Sequence, residues 1–99
     1  MQYKHEYGQE FEDLLRKIAR DPNKPLWREF LFDILSPAEY KELTVRWQIM
    51  KQLQRGVPHR DIAKSLKVSV ATITRGSREL MNKKGGFRLV LDKYYKSKK

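Results

Sequence analysis

The stretch VSVATITRGSREL, Val68 to Leu80, can be read in two ways, and the choice decides the fold. Val68, Val70, Thr72, Ile73 and Thr74 are β-branched and favour strands, yet Arg75, Gly76, Ser77 and Arg78 follow, with Glu79 before Leu80. Ser69, just ahead of Val70, Ala71 and Thr72, has the chemistry of a helix N-cap. The preceding HRDIAKSL, His59 to Leu66, is a second short amphipathic segment, and Lys67, Val68 and Ser69 make the turn between them. Two short helices at this spacing read as a helix-turn-helix over about residues 59–80. In that reading Ile62 and Leu66 pack inward, Ala63 allows a close crossing, and Val68 and Ile73 fill the gap. Lys67 stands where many such motifs place a glycine. The plainer alternative is two amphipathic helices of a bundle.

Working outward, Phe11, Leu14, Leu15 and Ile18 recur at helical spacing and predict a first helix over about residues 8–20. Pro22 and Pro25 in the loop DPNKP end it. Leu26, Trp27, Phe30, Leu31 and Ile34 describe a short second helix too apolar to be left in water. At SPAEYKEL, Ser36 as N-cap, Pro37 at N1 and Glu39 at N3 form a capping box. The third helix is expected to run to about Arg55 with Gly56 as its stop, on an apolar line of Leu43, Trp47, Met50 and Leu53. A last helix is expected from about Phe87 to Lys96, followed by a disordered KSKK tail. The fold class is therefore all-α, a single helical domain over residues 1–99.

Charge is distributed unevenly. Residues 1–45 hold seven Lys/Arg against nine Asp/Glu, and residues 46–99 hold fifteen against three, so the halves carry −2 and +12. A back half this one-sided should attract a polyanion, with nucleic acid as the commonest candidate. There is no cysteine, hence no disulfide and no thiolate metal site, and only His5 and His59 offer imidazole. No apolar run approaches a membrane span, and MQYKHEYGQEFEDLL does not resemble a signal peptide. A cytoplasmic location with no membrane partner is expected. No base and nucleophile share a recognisable spacing and no glycine-rich phosphate loop is present, so an enzyme is not expected. The acids Glu10, Glu12 and Asp13 are assigned to the N-terminal dipole of the first helix.

If the motif enters a major groove, Val70, Ala71 and Thr74 face base edges, with Val70 and Ala71 suited to thymine methyl groups and Thr74 to hydrogen bonding. His59, Arg60, Thr72, Ser77 and Arg78 are placed to hold phosphates. For Arg60 and Arg78 a merely solvated helix face is the open alternative. A scaffold that binds RNA or another acidic partner through its basic half would also fit the charge.

LSPAEYKELTVRWQIMKQLQRG followed by VSVATITRGSREL resembles the bacterial tryptophan repressor family, with ITRGS, Ile73 to Ser77, among the most specific features. The resemblance is strong from Leu35 to Leu80 and general in the flanks. It implies six helices per subunit, an intertwined homodimer, and a palindromic double-stranded operator read across successive major grooves. It further implies a repressor of tryptophan biosynthesis or transport operons with L-tryptophan as corepressor and no other cofactor. On this resemblance Arg46 and Arg75 match the arginines that sandwich the indole, Arg75 and Ser36 match the groups that take the carboxylate, and Gly76 matches the glycine against which the ligand lies. The carbonyls of Asp33 and Leu35 of the other subunit match those that receive the ammonium.

Ser36 as a plain cap, and Arg46 as a phosphate contact, remain open beside these roles. The sequence departs from the family in two places. At HRDI it is one residue shorter than the best-known members, which bears on the orientation of the motif's first helix. Glu79 replaces a small hydroxyl residue beside the corepressor: it either pairs with Arg75 four residues earlier, competing with the ligand, or receives the ligand's ammonium. A regulator of the same fold with no effector, or a different one, is the alternative.

Overall fold

The computed structural model describes residues 6–95. All regular structure among them is α-helical: α1 (Gly8–Arg20), α2 (Pro25–Ile34), α3 (Pro37–Gln54), α4 (His59–Leu66), α5 (Val70–Leu80) and α6 (Gly86–Tyr94). Six helices and no strand is the architecture expected from the sequence. The last helix ends earlier than expected, with Tyr95 as its C-cap, and the KSKK segment lies outside the described residues. The chain divides into two compact units, Met1–Tyr40 and Lys41–Lys99.

In the first unit α1 follows its charges, with Glu10 in the first turn and Lys17 and Arg20 in the last, each opposing the helix dipole. Asp13 accepts from Gln9 at 3.0 Å and pairs with Arg16 at 3.5 Å on the exposed face. Asp21, extended before Pro22, ends the helix, and its carboxylate accepts the Asn23 N–H at 2.8 Å. Pro25 opens α2 without forfeiting a helical hydrogen bond. Helix α1 packs on α2, with the Phe11 and Phe30 rings 6.4 Å apart. Of the apolar face expected on α1, only Ile18 is buried; Phe11 and Leu14 remain exposed. No residue of α2 is buried, and Trp27, Phe32 and Ile34 are exposed. Two short helices have too little surface to cover these side chains.

The capping box at the start of α3 is formed as read. The Glu39 N–H donates to Ser36 Oγ at 3.2 Å, and the Ser36 N–H donates to Glu39 Oε1 at 2.8 Å. That backbone hydrogen bond, with the Ser36 hydroxyl second, lowers the Glu39 pKa below the ordinary 4.5. Such a cap contributes about 1 kcal/mol to a helix.

The second unit holds the main core, built from Ile49, Met50, Ile62, Ala63, Ile73, Leu80 and Leu91. Trp47, Leu53, Leu66, Val68 and Phe87 lie against it, partly buried. The cluster draws on α3 only from Val45 onward, so Leu43, expected on the same apolar line, is exposed. At the end of α3, Gly56 takes φ 80, its N–H donates to the Leu53 carbonyl, and the Val57 N–H donates to the Gln52 carbonyl. This is a Schellman termination, in which glycine avoids the Cβ penalty of the left-handed region. Trp47 meets Tyr95 edge-on with ring centroids 5.3 Å apart, joining α3 to the residue that closes α6.

Candidate nucleic-acid interface

Helices α4 and α5 pack on each other, and their packing follows from the residues singled out in the sequence. Ile62 and Ile73 are fully buried, Ala63 is buried in the same cluster, and Leu66 and Val68 pack on it, partly buried. Burying an isoleucine contributes about 1.5–3 kcal/mol, which outweighs the local β preference of the stretch. Ser69 caps α5 as expected: its Oγ accepts the Thr72 N–H at 3.1 Å and lies 2.8 Å from the Thr72 hydroxyl. The β-branched residues are thus held in a helix by a cap at one end and a core along one side.

The opposite side of α5 remains open. Val70 and Ala71 are exposed at its N-terminal end and Thr74 is half-buried one turn on. Among the candidate phosphate contacts, Arg60 and Arg78 are exposed, while His59, Thr72 and Ser77 are half-buried. The Thr72 hydroxyl is engaged with the cap. Arg60 and Arg78 have no ion-pair partner among the described residues.

The candidate effector residues fall in both units. In the first, Asp33 lies in the last turn of α2, Leu35 is its C-cap with its N–H donating to the Leu31 carbonyl at 3.1 Å, and Ser36 caps α3. Ser36 Oγ accepts in that cap, so its own proton is still available for another acceptor. In the second unit, Arg46 is exposed and pairs with Glu42 at 2.7 Å. Arg75 and Glu79 are both exposed, and the ion pair considered between them is not formed among the described residues. The order explains the contrast, because a helical pair is favoured with the acid N-terminal to the base. Glu42 and Arg46 have that order; Arg75 and Glu79 have the reverse.

Gly76 has a packing role that the sequence did not reveal. A Cβ placed there would lie 2.8 Å from Met50 Cε and 3.2 Å from Ile49 Cγ2, so α5 approaches α3 as closely as it does only because this residue has no side chain. Sequence reading also passed over Arg88. Its Nη2 donates to the Leu80 carbonyl at 3.2 Å and its Nη1 lies 3.7 Å from Asp92, which ties the C-terminal end of α5 to α6. The available signal was an arginine two residues after Gly86 and four before Asp92.

Comparison with known proteins identifies relatives of this chain. The family profile described as Trp repressor protein matches residues 9–95. The chain is 32% identical over 84 residues to a Trp operon repressor homolog of Vibrio campbellii, covering 84% of this chain and 83% of that protein. It is 46% identical over 54 residues to one of Actinobacillus succinogenes, covering 54% of each. With one of Haemophilus influenzae it shares 44% identity over 62 residues, 62% of this chain and 59% of that protein. The matched stretch thus spans only somewhat over half the length of the last two relatives. No solved structure gives a significant match.

Proposed function

Because the chain belongs to the Trp repressor protein family, whose members are transcriptional regulators and not enzymes, we propose that it is a sequence-specific DNA-binding repressor acting as a homodimer. Its target is a palindromic operator of tryptophan biosynthesis or transport genes, and its corepressor is L-tryptophan. The observation that carries the reading is the α4–α5 pair. Ile62 and Ile73, fully buried in one cluster, and the Ser69 cap hold α5 in place, while Val70 and Ala71 stay exposed at the end that a groove would receive. The charge supports the same partner, with the +12 half carrying the motif.

In this reading Val70 and Ala71 meet thymine methyl groups, Thr74 bonds a base edge, and Arg60 and Arg78, with His59, Thr72 and Ser77, fix register on phosphates. The exposed Trp27, Phe32 and Ile34 are surface for a second copy of the chain. No helix of the described residues is long and apolar enough to cross a membrane. Tryptophan, held by Arg46, Arg75 and Ser36 with the partner's Asp33 and Leu35 carbonyls, shifts the population toward the operator-competent arrangement.

A second reading, a regulator of this fold with another effector or none, is favoured by two observations: Gly76 is already accounted for by packing against α3, and Glu79, four residues after Arg75, is exposed with no ion pair among the described residues. One titration separates them. A palindromic tryptophan-operator-type duplex and a scrambled one are compared at fixed salt, with and without L-tryptophan. Preference for the palindrome that needs tryptophan is the expected result. Preference indifferent to tryptophan selects the second reading, and equal affinity for both duplexes removes both.

A further inference from the structure

Lys67 closes α4 in the left-handed region, at φ 58 and ψ 45, and is the one non-glycine residue with positive φ among the described residues. Its Cβ crowds the backbone there, and glycine is the ordinary solution at such a helix end. Gly56 shows that solution in the same chain. Backbone strain of this kind persists where the side chain has another use. Among the described residues nothing supplies that use: Lys67 is exposed, and its ammonium has no ion-pair or aromatic partner there.

Its surroundings point outward. Arg60 and Lys64, four residues apart, lie on the exposed face of α4, and the exposed Lys67 follows them as the C-cap of the same helix. The single acid of α4, Asp61, pairs with none of them. Two residues beyond Lys67, Ser69 caps α5, so the strained lysine sits beside the end of the helix that would enter a groove.

We infer that Lys67, together with Lys64, contacts backbone phosphates flanking the groove that α5 enters, and that lysine is kept in this strained turn for its charge. The inference rests on the DNA-binding reading above. Lysine suits the task, since a point charge on a flexible stem reaches a phosphate without a fixed orientation. Such contacts carry no sequence information but fix register and strengthen binding through counterion release.

The test compares the full-length protein with Lys67→Gly, Lys67→Arg and Lys64→Gln on palindromic and scrambled duplexes over a range of salt concentrations. Lys67→Gly is expected to raise Tm by a few degrees, on the order of 4 °C, because the strain is relieved. It should nevertheless weaken binding to both duplexes about fivefold near 0.1 M salt and lower the slope of log K against log salt by about 0.9. Lys67→Arg should retain the wild-type slope, and Lys64→Gln should lose a similar increment. If Lys67→Gly is stabilised and binds with an unchanged slope, the inference falls while the DNA-binding reading stands. Loss confined to the palindromic duplex also overturns it, since that is base readout. If the wild type binds neither duplex, the underlying reading fails and takes the inference with it.

Discussion

Lys41–Lys99 gathers Ile49, Met50, Ile62, Ile73, Leu80 and Leu91 into one buried cluster, whereas among the described residues of Met1–Tyr40 only Ile18 is buried. The difference does not come from a shortage of apolar residues in the first unit, which has Phe11, Trp27, Phe30 and Phe32. It comes from what each unit has to pack with. Two short helices meet along one line, while α4 and α5, with α3 and α6 around them, enclose side chains from several directions. The second unit therefore holds α5 against a core of its own, and the first presents uncovered apolar surface, which the proposed dimer would cover.

The largest expected effect tests that contrast directly. Ile73→Ala removes a fully buried side chain and should destabilise the protein by about 2–5 kcal/mol in urea or thermal unfolding. Phe32, 52% exposed, should behave differently: the cost of Phe32→Ala should vary with protein concentration over a roughly hundredfold range, as mass action requires of a residue buried by association. A small cost, under about 0.5 kcal/mol and independent of concentration, would make the first unit's apolar face an ordinary surface.

A smaller effect is expected at Gly76. Glycine within a helix normally costs about 1 kcal/mol relative to alanine, so Gly76→Ala would stabilise a helix in open space. Here the added methyl group meets Ile49 Cγ2 at 3.2 Å, and Ile49 is a buried, branched side chain with little room to move; Met50 Cε, at 2.8 Å, ends a flexible chain and yields more easily. Overpacking of this kind costs about 1–3 kcal/mol. The balance is a net loss of about 1 kcal/mol in the protein without ligand, measured by denaturant unfolding. A gain in stability with loss of tryptophan binding would instead assign the glycine to the ligand.

The same contrast shows what the sequence made legible. The Ser36–Glu39 box, the Gly56 stop and the Ser69 cap depend on residues within a few positions of each other, and all three are formed. The α4–α5 core was readable because Ile62, Ala63 and Ile73 are confined by a short turn. What helical spacing could not give was which face finds a partner: Phe11, Leu14 and Leu43 have the right period but are exposed. The approach of α5 to α3 at Gly76 joins residues more than twenty positions apart, so no local signal carries it. The spacing of Arg75 and Glu79 allowed a pair, but their order on the helix does not favour one.

The smallest expected effect concerns the charge in the α3 capping box. The Glu39 pKa is lowered in the folded protein, first by the Ser36 N–H and then by the Ser36 hydroxyl. A lowered folded pKa means that the stabilisation is complete above the ordinary value of 4.5 and is lost as the pH falls through the folded value. Glu39→Gln keeps an acceptor for the Ser36 N–H but cannot ionise, so its Tm should lack this acid-side component. The difference in Tm between wild type and variant should therefore be constant at neutral pH and shrink as the pH drops below 4.5. Because Glu39 is exposed, the change should be small beside that of Ile73→Ala. A difference that stays constant through the acid range would mean that the box acts through its hydrogen bonds alone, with no contribution from the carboxylate charge to the start of α3.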